Sequence, residues 1–140
     1  EYTFNNGNKH IGNWVNGNFT GKGKIVFSDG KLYEGDFFEG KIKKGKYVPS
    51  DGLYIYEGDF INFKFSGNGK LISTEGYVYE GGFINNEFSG IGKITYKSGS
   101  WHEGSWKNNK KNGLGKNYDS KTRKITKGRW KNNELVKKLQ

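Results

Sequence analysis

The sequence has no cysteine, no methionine and a single proline. Without cysteine there is no disulfide framework and no thiol nucleophile. No run approaches the roughly 18 apolar residues that a membrane-spanning helix needs. Hydrophobic residues are scarce at 31%, and the mean hydropathy is −0.93. A globular domain draws about 45–50% of its residues from a slightly broader apolar set. What the chain has instead is 23 Gly, 9 Tyr, 10 Phe and 4 Trp. That aromatic content argues against a disordered chain. The length of 140 residues suits one domain, residues 1–140. Beginning at Glu1 rather than Met, the chain reads as a piece or processed product of a longer one, with no targeting leader in view.

The glycines are periodic. Gly12, Gly35, Gly58, Gly81 and Gly104 stand 23 apart, and Gly128 follows after 24. Two positions after them stand Trp14, Phe37, Phe60, Phe83, Trp106 and Trp130. Two positions before stand His10, Tyr33, Tyr56, Tyr79 and His102, with Thr126 breaking the series. A Gly-x-Gly pair recurs at Gly21/Gly23, Gly67/Gly69, Gly90/Gly92 and Gly113/Gly115, and a closing glycine at Gly7, Gly30, Gly52, Gly76 and Gly99. Ring, glycine and ring fall at period 2, so they share one face of a strand. Turn signals such as Asn16-Gly17 and Ser28-Asp29-Gly30 separate the strands. Each unit therefore reads as a β-hairpin, with repeats at 8–30, 31–52, 53–76, 77–99 and 100–123 and a partial one at 124–140. Phe4 and Gly7 match Phe27 and Gly30, so 1–7 reads as the end of a preceding repeat. Only Glu134 to Leu139 carries any helical signal.

The fold class implied is all-β: an elongated, single-sheet antiparallel meander of 23-residue β-hairpin repeats. Its core would be the rings Trp14, Tyr33, Phe37, Tyr56, Phe60, Tyr79, Phe83, Trp106 and Trp130. Glycine on the ring-bearing face leaves room for these rings to lie over neighbouring backbone.

Tyr33-Glu34-Gly35-Asp36-Phe37, Tyr56-Glu57-Gly58-Asp59-Phe60 and Tyr79-Glu80-Gly81-Gly82-Phe83, each followed by a Gly-x-Gly strand, resemble the MORN repeat (membrane occupation and recognition nexus). The resemblance spans essentially the whole chain. It departs where the second unit loses a residue before Gly45 and carries Lys43 in place of a glycine. It departs again where the glycine of Gly17 and Gly40 becomes Phe63, Asn86, Asn109 and Asn133, and where Asn117 and Asp119 replace apolar residues. The resemblance implies a cytoplasmic module, peripheral at a membrane or the cytoskeleton. Such arrays occur in cytoskeletal and membrane-junction proteins, and beside lipid kinases and a lysine methyltransferase.

Catalytic readings fare poorly. His10 and His102 fill the slot that tyrosine fills elsewhere, and neither has a carboxylate at metal-site spacing. The Gly-x-Gly-Lys strings recur once per hairpin and run into strands, unlike a phosphate loop, which opens a helix. No enzyme activity, cofactor, metal or small-molecule substrate is expected, and nucleic acid is disfavoured because the rings are needed for the core.

Two surface features remain. Val15, Phe38, Ile61 and Ile84, joined by Leu32, Ile55, Val78 and Trp101, have outward parity and form an apolar stripe suited to a protein partner or self-association. The charge of +10 is also uneven. Residues 1–100 hold 12 Lys against 11 acidic residues, whereas 101–140 hold 12 basic against 3 acidic. Lys107, Lys110, Lys111, Lys116, Lys121, Arg123, Lys124, Lys127 and Arg129 are thus candidate contacts for anionic lipid or an acidic partner, at about 1 kcal/mol per residue near an anionic leaflet. The leading expectation is a non-enzymatic protein-interaction scaffold; the alternative is an anionic-phospholipid-binding module.

Overall fold

A computed structural model describes all residues, Glu1–Gln140. It contains thirteen strands and no helix: β1 (Tyr2–Thr3), β2 (Lys9–Val15), β3 (Asn18–Val26), β4 (Leu32–Phe38), β5 (Lys41–Val48), β6 (Tyr54–Ile61), β7 (Lys64–Ser73), β8 (Val78–Ile84), β9 (Glu87–Thr95), β10 (Trp101–Lys107), β11 (Lys110–Asp119), β12 (Lys124–Lys131) and β13 (Glu134–Leu139). They form one open sheet in sequence order, each strand antiparallel to the next. At about 4.8 Å per strand, the array is roughly 58 Å long. The segment with helical signal, Glu134–Leu139, is the edge strand β13, paired with β12 through Lys127↔Leu139 and Lys131↔Glu134. Backbone pairing to an existing edge outweighs a weak local periodicity.

The registers put the spine glycines opposite one another. Gly12, Gly23, Gly35, Gly45, Gly58, Gly69, Gly81, Gly92, Gly104, Gly115 and Gly128 are consecutive partners from β2 to β12. A β-carbon added at Gly69 would clash with the hydroxyl end of the Tyr56 ring, and one at Gly92 with that of Tyr79. Tyr56 stacks on Phe65 at 3.9 Å and Tyr79 on Phe88 at 3.8 Å. The next unit's ring then closes edge-on: Phe83 against Tyr56 at 5.0 Å, and Trp106 against Tyr79 at 5.4 Å. The hydroxyls of Tyr56 and Tyr79 donate to the carbonyls of Asp59 and Gly82 at 2.6 and 2.9 Å. One layer of sheet thus buries its own rings against its own backbone.

Tyr33, Phe37, Tyr56, Phe60, Tyr79, Phe83, Trp106 and Trp130 are buried. Trp14 is not, being 43% exposed. Its outer side meets only Tyr2, Phe4 and His10, rather than the stacked Tyr–Phe pair that covers Phe83.

Each hairpin carries a bulge between its spine glycines and its turn. In the third unit Gly58 pairs Gly69 and Phe60 pairs Phe65, so the second strand holds two extra residues there. Gly67 within that bulge has φ +104°, a conformation that favours glycine. In the second unit Gly35 pairs Gly45 and Phe37 pairs Ile42, leaving one extra residue. The missing residue is therefore taken out of the bulge, and Lys43 is not required to adopt a positive φ.

The hairpin turns are two residues long with positive φ at both positions, from Asn16-Gly17 to Asn132-Asn133. This matches the twist of the strands. Where asparagine replaces glycine it adds a tie to the unit before: Asn86, Asn109 and Asn133 accept the N–H of Phe65, Phe88 and Lys111 at 2.8 Å. Phe4 and Gly7 make the same closing bonds as Phe27 and Gly30.

If the ring-over-glycine contact carries the fold, Gly69→Ala is expected to lower unfolding free energy by about 2–3 kcal/mol, as overpacking does. Urea denaturation checks this.

Candidate functional site

The ring face is packed over most of its length, so the broad continuous surface left for recognition is the other face. There the residues beside the spine glycines form a ladder: Lys24, Glu34, Lys46, Glu57, Lys70, Glu80, Lys93, Glu103 and Lys116 are successive partners across nine strands. The sign alternates at every step. Contacts are loose, with Lys46–Glu34 at 4.0 Å and Lys70–Glu80 at 3.7 Å, and the groups are half-exposed. Such pairs contribute about 0–1 kcal/mol each.

Beside the ladder runs an apolar row. Val26, Leu32 and Val48 are consecutive partners, followed by Ile55, Ile72, Val78, Thr95, Trp101, Tyr118 and Ile125. Most are half-buried by their neighbours, and Ile72 and Ile125 are exposed. On the far side of the ladder, next to the hairpin turns, Val15, Phe38, Ile61 and Ile84 are 54–60% exposed. Ile91 and Leu114, the middle residues of two Gly-x-Gly strings, are exposed on this face too. Neither these two nor Val26, Val48, Ile72 and Ile125 belong to the stripe expected from the sequence; their outward parity is the signal that marks them.

The basic end does not form one surface. Lys107 and Lys110 are direct cross-strand partners and, with Lys131, line a cleft of about 300 Å³ at the hairpin edge. Lys116, Lys127 and Arg129 continue the outer face, where Lys127 takes the slot that glutamate holds in earlier units. Lys121, Arg123 and Lys124 lie at the opposite, loop end, and Arg123 has φ +59° where other units close on glycine. Lys111 departs from the expected set. It faces the rings as the partner of Trp106, in the position of Phe19, Ile42, Phe65 and Phe88. It is half-buried, and burial pulls its pKa down.

The histidines are packing groups. His102 is 1% exposed over Gly115, and its Nδ1 lies 2.6 Å from Asn117 Oδ1. This accounts for Asn117 in an otherwise apolar position. Burial lowers the pKa of His102 and of His10. Among the side chains no group of three or more His, Asp or Glu is arranged to hold a metal.

A family model, the MORN repeat, matches residues 10–31, 56–76, 79–101 and 102–116, over half of the chain. This chain belongs to the MORN repeat family. The unmatched stretch 32–55 contains the shortened second unit, and 117–140 the irregular basic end. No individual curated protein matches the chain. MORN repeats are associated with protein and membrane interactions and are generally non-enzymatic. In this MORN array the histidine slots are pH-sensitive. His102 is held neutral below its ordinary pKa of 6.5, so the unfolded chain takes up the proton more readily. Stability is present above that value and falls as pH drops through it. His102→Tyr combined with Asn117→Ile restores the pairing type of Tyr79 with Ile94. It is expected to reduce the loss of melting temperature between about pH 7.5 and pH 5.5. Part of the loss remains through His10. Thermal unfolding across that range is the measurement.

Proposed function

We propose that the array is a non-enzymatic interaction scaffold whose outer face docks a second copy of the chain. The supporting observation is the alternating ladder flanked on one side by a half-buried apolar row and on the other by the exposed stripe of Val15, Phe38, Ile61 and Ile84. Because the sign reverses at each strand, sliding one sheet over another by a single strand, about 4.8 Å, sets each lysine against a glutamate. The apolar row and the hairpin-edge stripe supply the buried area that such a contact requires. Light scattering over a concentration series tests this. The wild type is expected to grow in mass with concentration, and Phe38→Asp with Ile61→Asp to stay monomeric. A wild type that is monomeric throughout overturns the reading.

A second reading, an anionic phospholipid contact, is supported by the Lys107, Lys110 and Lys131 cleft. Two like charges directly opposite each other on paired strands repel, and an anion between them relieves that cost. Co-sedimentation with vesicles containing anionic phospholipid is expected at low salt. It should fall with rising salt and in the triple variant Lys107→Glu, Lys110→Glu, Lys131→Glu. Binding that survives both changes counts against it.

A further inference from the structure

Several departures from the repeat pattern meet at one place. Tyr47 stands where Ile25, Leu71 and Ile94 face the opening-strand ring in other units. Tyr54 and Tyr77 stand four residues before a spine glycine, where other units have Asn8, Lys31 and Ser100. Phe63 stands at the second turn position, held by Gly17, Gly40, Asn86 and Asn109 elsewhere. Its φ is +63°, a conformation that costs a bulky residue about 1–2 kcal/mol. The shortened second hairpin adds a further departure. Tyr33 does not lie over Gly45 as Tyr56 lies over Gly69; its hydroxyl donates instead to the Phe63 carbonyl at 3.3 Å.

All of these side chains line one half-open cavity of about 300 Å³ on the ring side of the sheet, with Phe65 at its base. That volume is at the small end of the range for ligand sites. Its walls meet at steep angles: Phe63 to Tyr33 at 81° and Tyr54 to Phe65 at 85°. The hydroxyls of Tyr47, Tyr54 and Tyr77 make no hydrogen bond within the protein, and no lysine or arginine lines the cavity. Carboxylates stand in the two flanking loops: Asp29, which Lys31 Nζ approaches at 3.9 Å, and Asp51, which has no lysine or arginine partner. Burial, then Asp29 and Asp51, raise the Tyr47 pKa, and Asp51 also raises that of Tyr54 after burial and Tyr47. Aromatic faces and adjacent carboxylates attract a cation, and a soft, weakly hydrated one pays least to leave water. The protein already sets cations over rings elsewhere, as with Lys93 above Trp101 at 4.6 Å.

We propose that this aromatic cavity, walled by Tyr33, Tyr47, Tyr54, Phe63 and Tyr77, binds a quaternary ammonium group of the choline type. Strain at Phe63 is then stored in a wall of the site, where such strain is commonly found.

Calorimetry with free choline and with its uncharged carbon isostere, 3,3-dimethylbutanol, tests the assignment. Saturable binding of choline with at least tenfold weaker binding of the isostere is expected. Equal binding of the two, or no choline binding, overturns the proposal. Phe63→Asn and Tyr77→Ser should each weaken choline by roughly tenfold, the value of one cation–π wall. Asparagine at 86 and 109 and serine at 100 already occupy the same repeat positions, so both variants are expected to fold, as circular dichroism will verify. Asp51→Asn should weaken binding several-fold at low salt and less at high salt. Unaltered choline affinity in the folded Phe63→Asn variant also overturns the site. A parallel titration with phosphatidylcholine vesicles separates the sources: binding to both assigns a lipid headgroup, and binding to choline alone a free cation. Either result upholds the recognition chemistry.

Discussion

The structure depends on a ring packed against a glycine of the next strand, as Tyr56 is against Gly69 and Tyr79 against Gly92. A single sheet has no second layer to cover its apolar side, so the backbone itself must serve as the opposing surface. Glycine is the residue that permits this approach, and the eleven spine glycines form an uninterrupted row across the sheet. The tyrosine then reaches past the glycine to donate to a carbonyl on its own strand, as Tyr56 does to Asp59. Burial and hydrogen bonding are met by one side chain, which is how so few aliphatic residues suffice. Contacts remain between neighbouring units, so the array behaves as a one-dimensional stack.

Confining the core to one face leaves the other face to be shaped by its own demands. The Lys/Glu ladder satisfies two of them. It keeps a broad sheet surface hydrated, and its alternation avoids like charges on adjacent strands. The pattern ends at Lys116, which faces Lys127 rather than a glutamate. This broken alternation contributes to the excess charge at the C-terminal end, as does the Lys107–Lys110 pair at the hairpin edge.

The fold was legible in the sequence because one spacing set the hairpin repeat and the face on which the rings stand. Glycines 23 apart with rings at plus and minus two can be aligned only one way. The surface was less legible. Lys111 was grouped with the other basic residues because charge was counted along the segment; counted by face, its parity with Gly113 and Gly115 places it among the rings. Trp14 satisfies the core pattern, but its burial depends on what lies before it rather than on its own unit. Asn86, Asn109 and Asn133 looked like lost glycines. In the structure they share glycine's tolerance of positive φ and add a side-chain tie between units that glycine cannot make.

The shortened second unit shows why irregularity in a repeat deserves a physical reading of its own. A residue removed from a strand would reverse the facing of everything beyond it. Removed from a bulge, it leaves Gly35 opposite Gly45 and Phe37 opposite Ile42, so the spine and the ladder continue unbroken. The cost is local: Ile42 takes the place of a stacking phenylalanine, and Tyr33 turns away from the glycine it would have covered. The volume this leaves is met by Tyr47, Tyr54, Phe63 and Tyr77, four residues that each break the pattern of their own unit. Simple repair of the core would have favoured aliphatic side chains, which fill space without exposing hydroxyls or straining a turn. Rings with free hydroxyls around an open volume instead leave a surface with chemistry of its own, positioned by a bulge that absorbs change without disturbing the sheet.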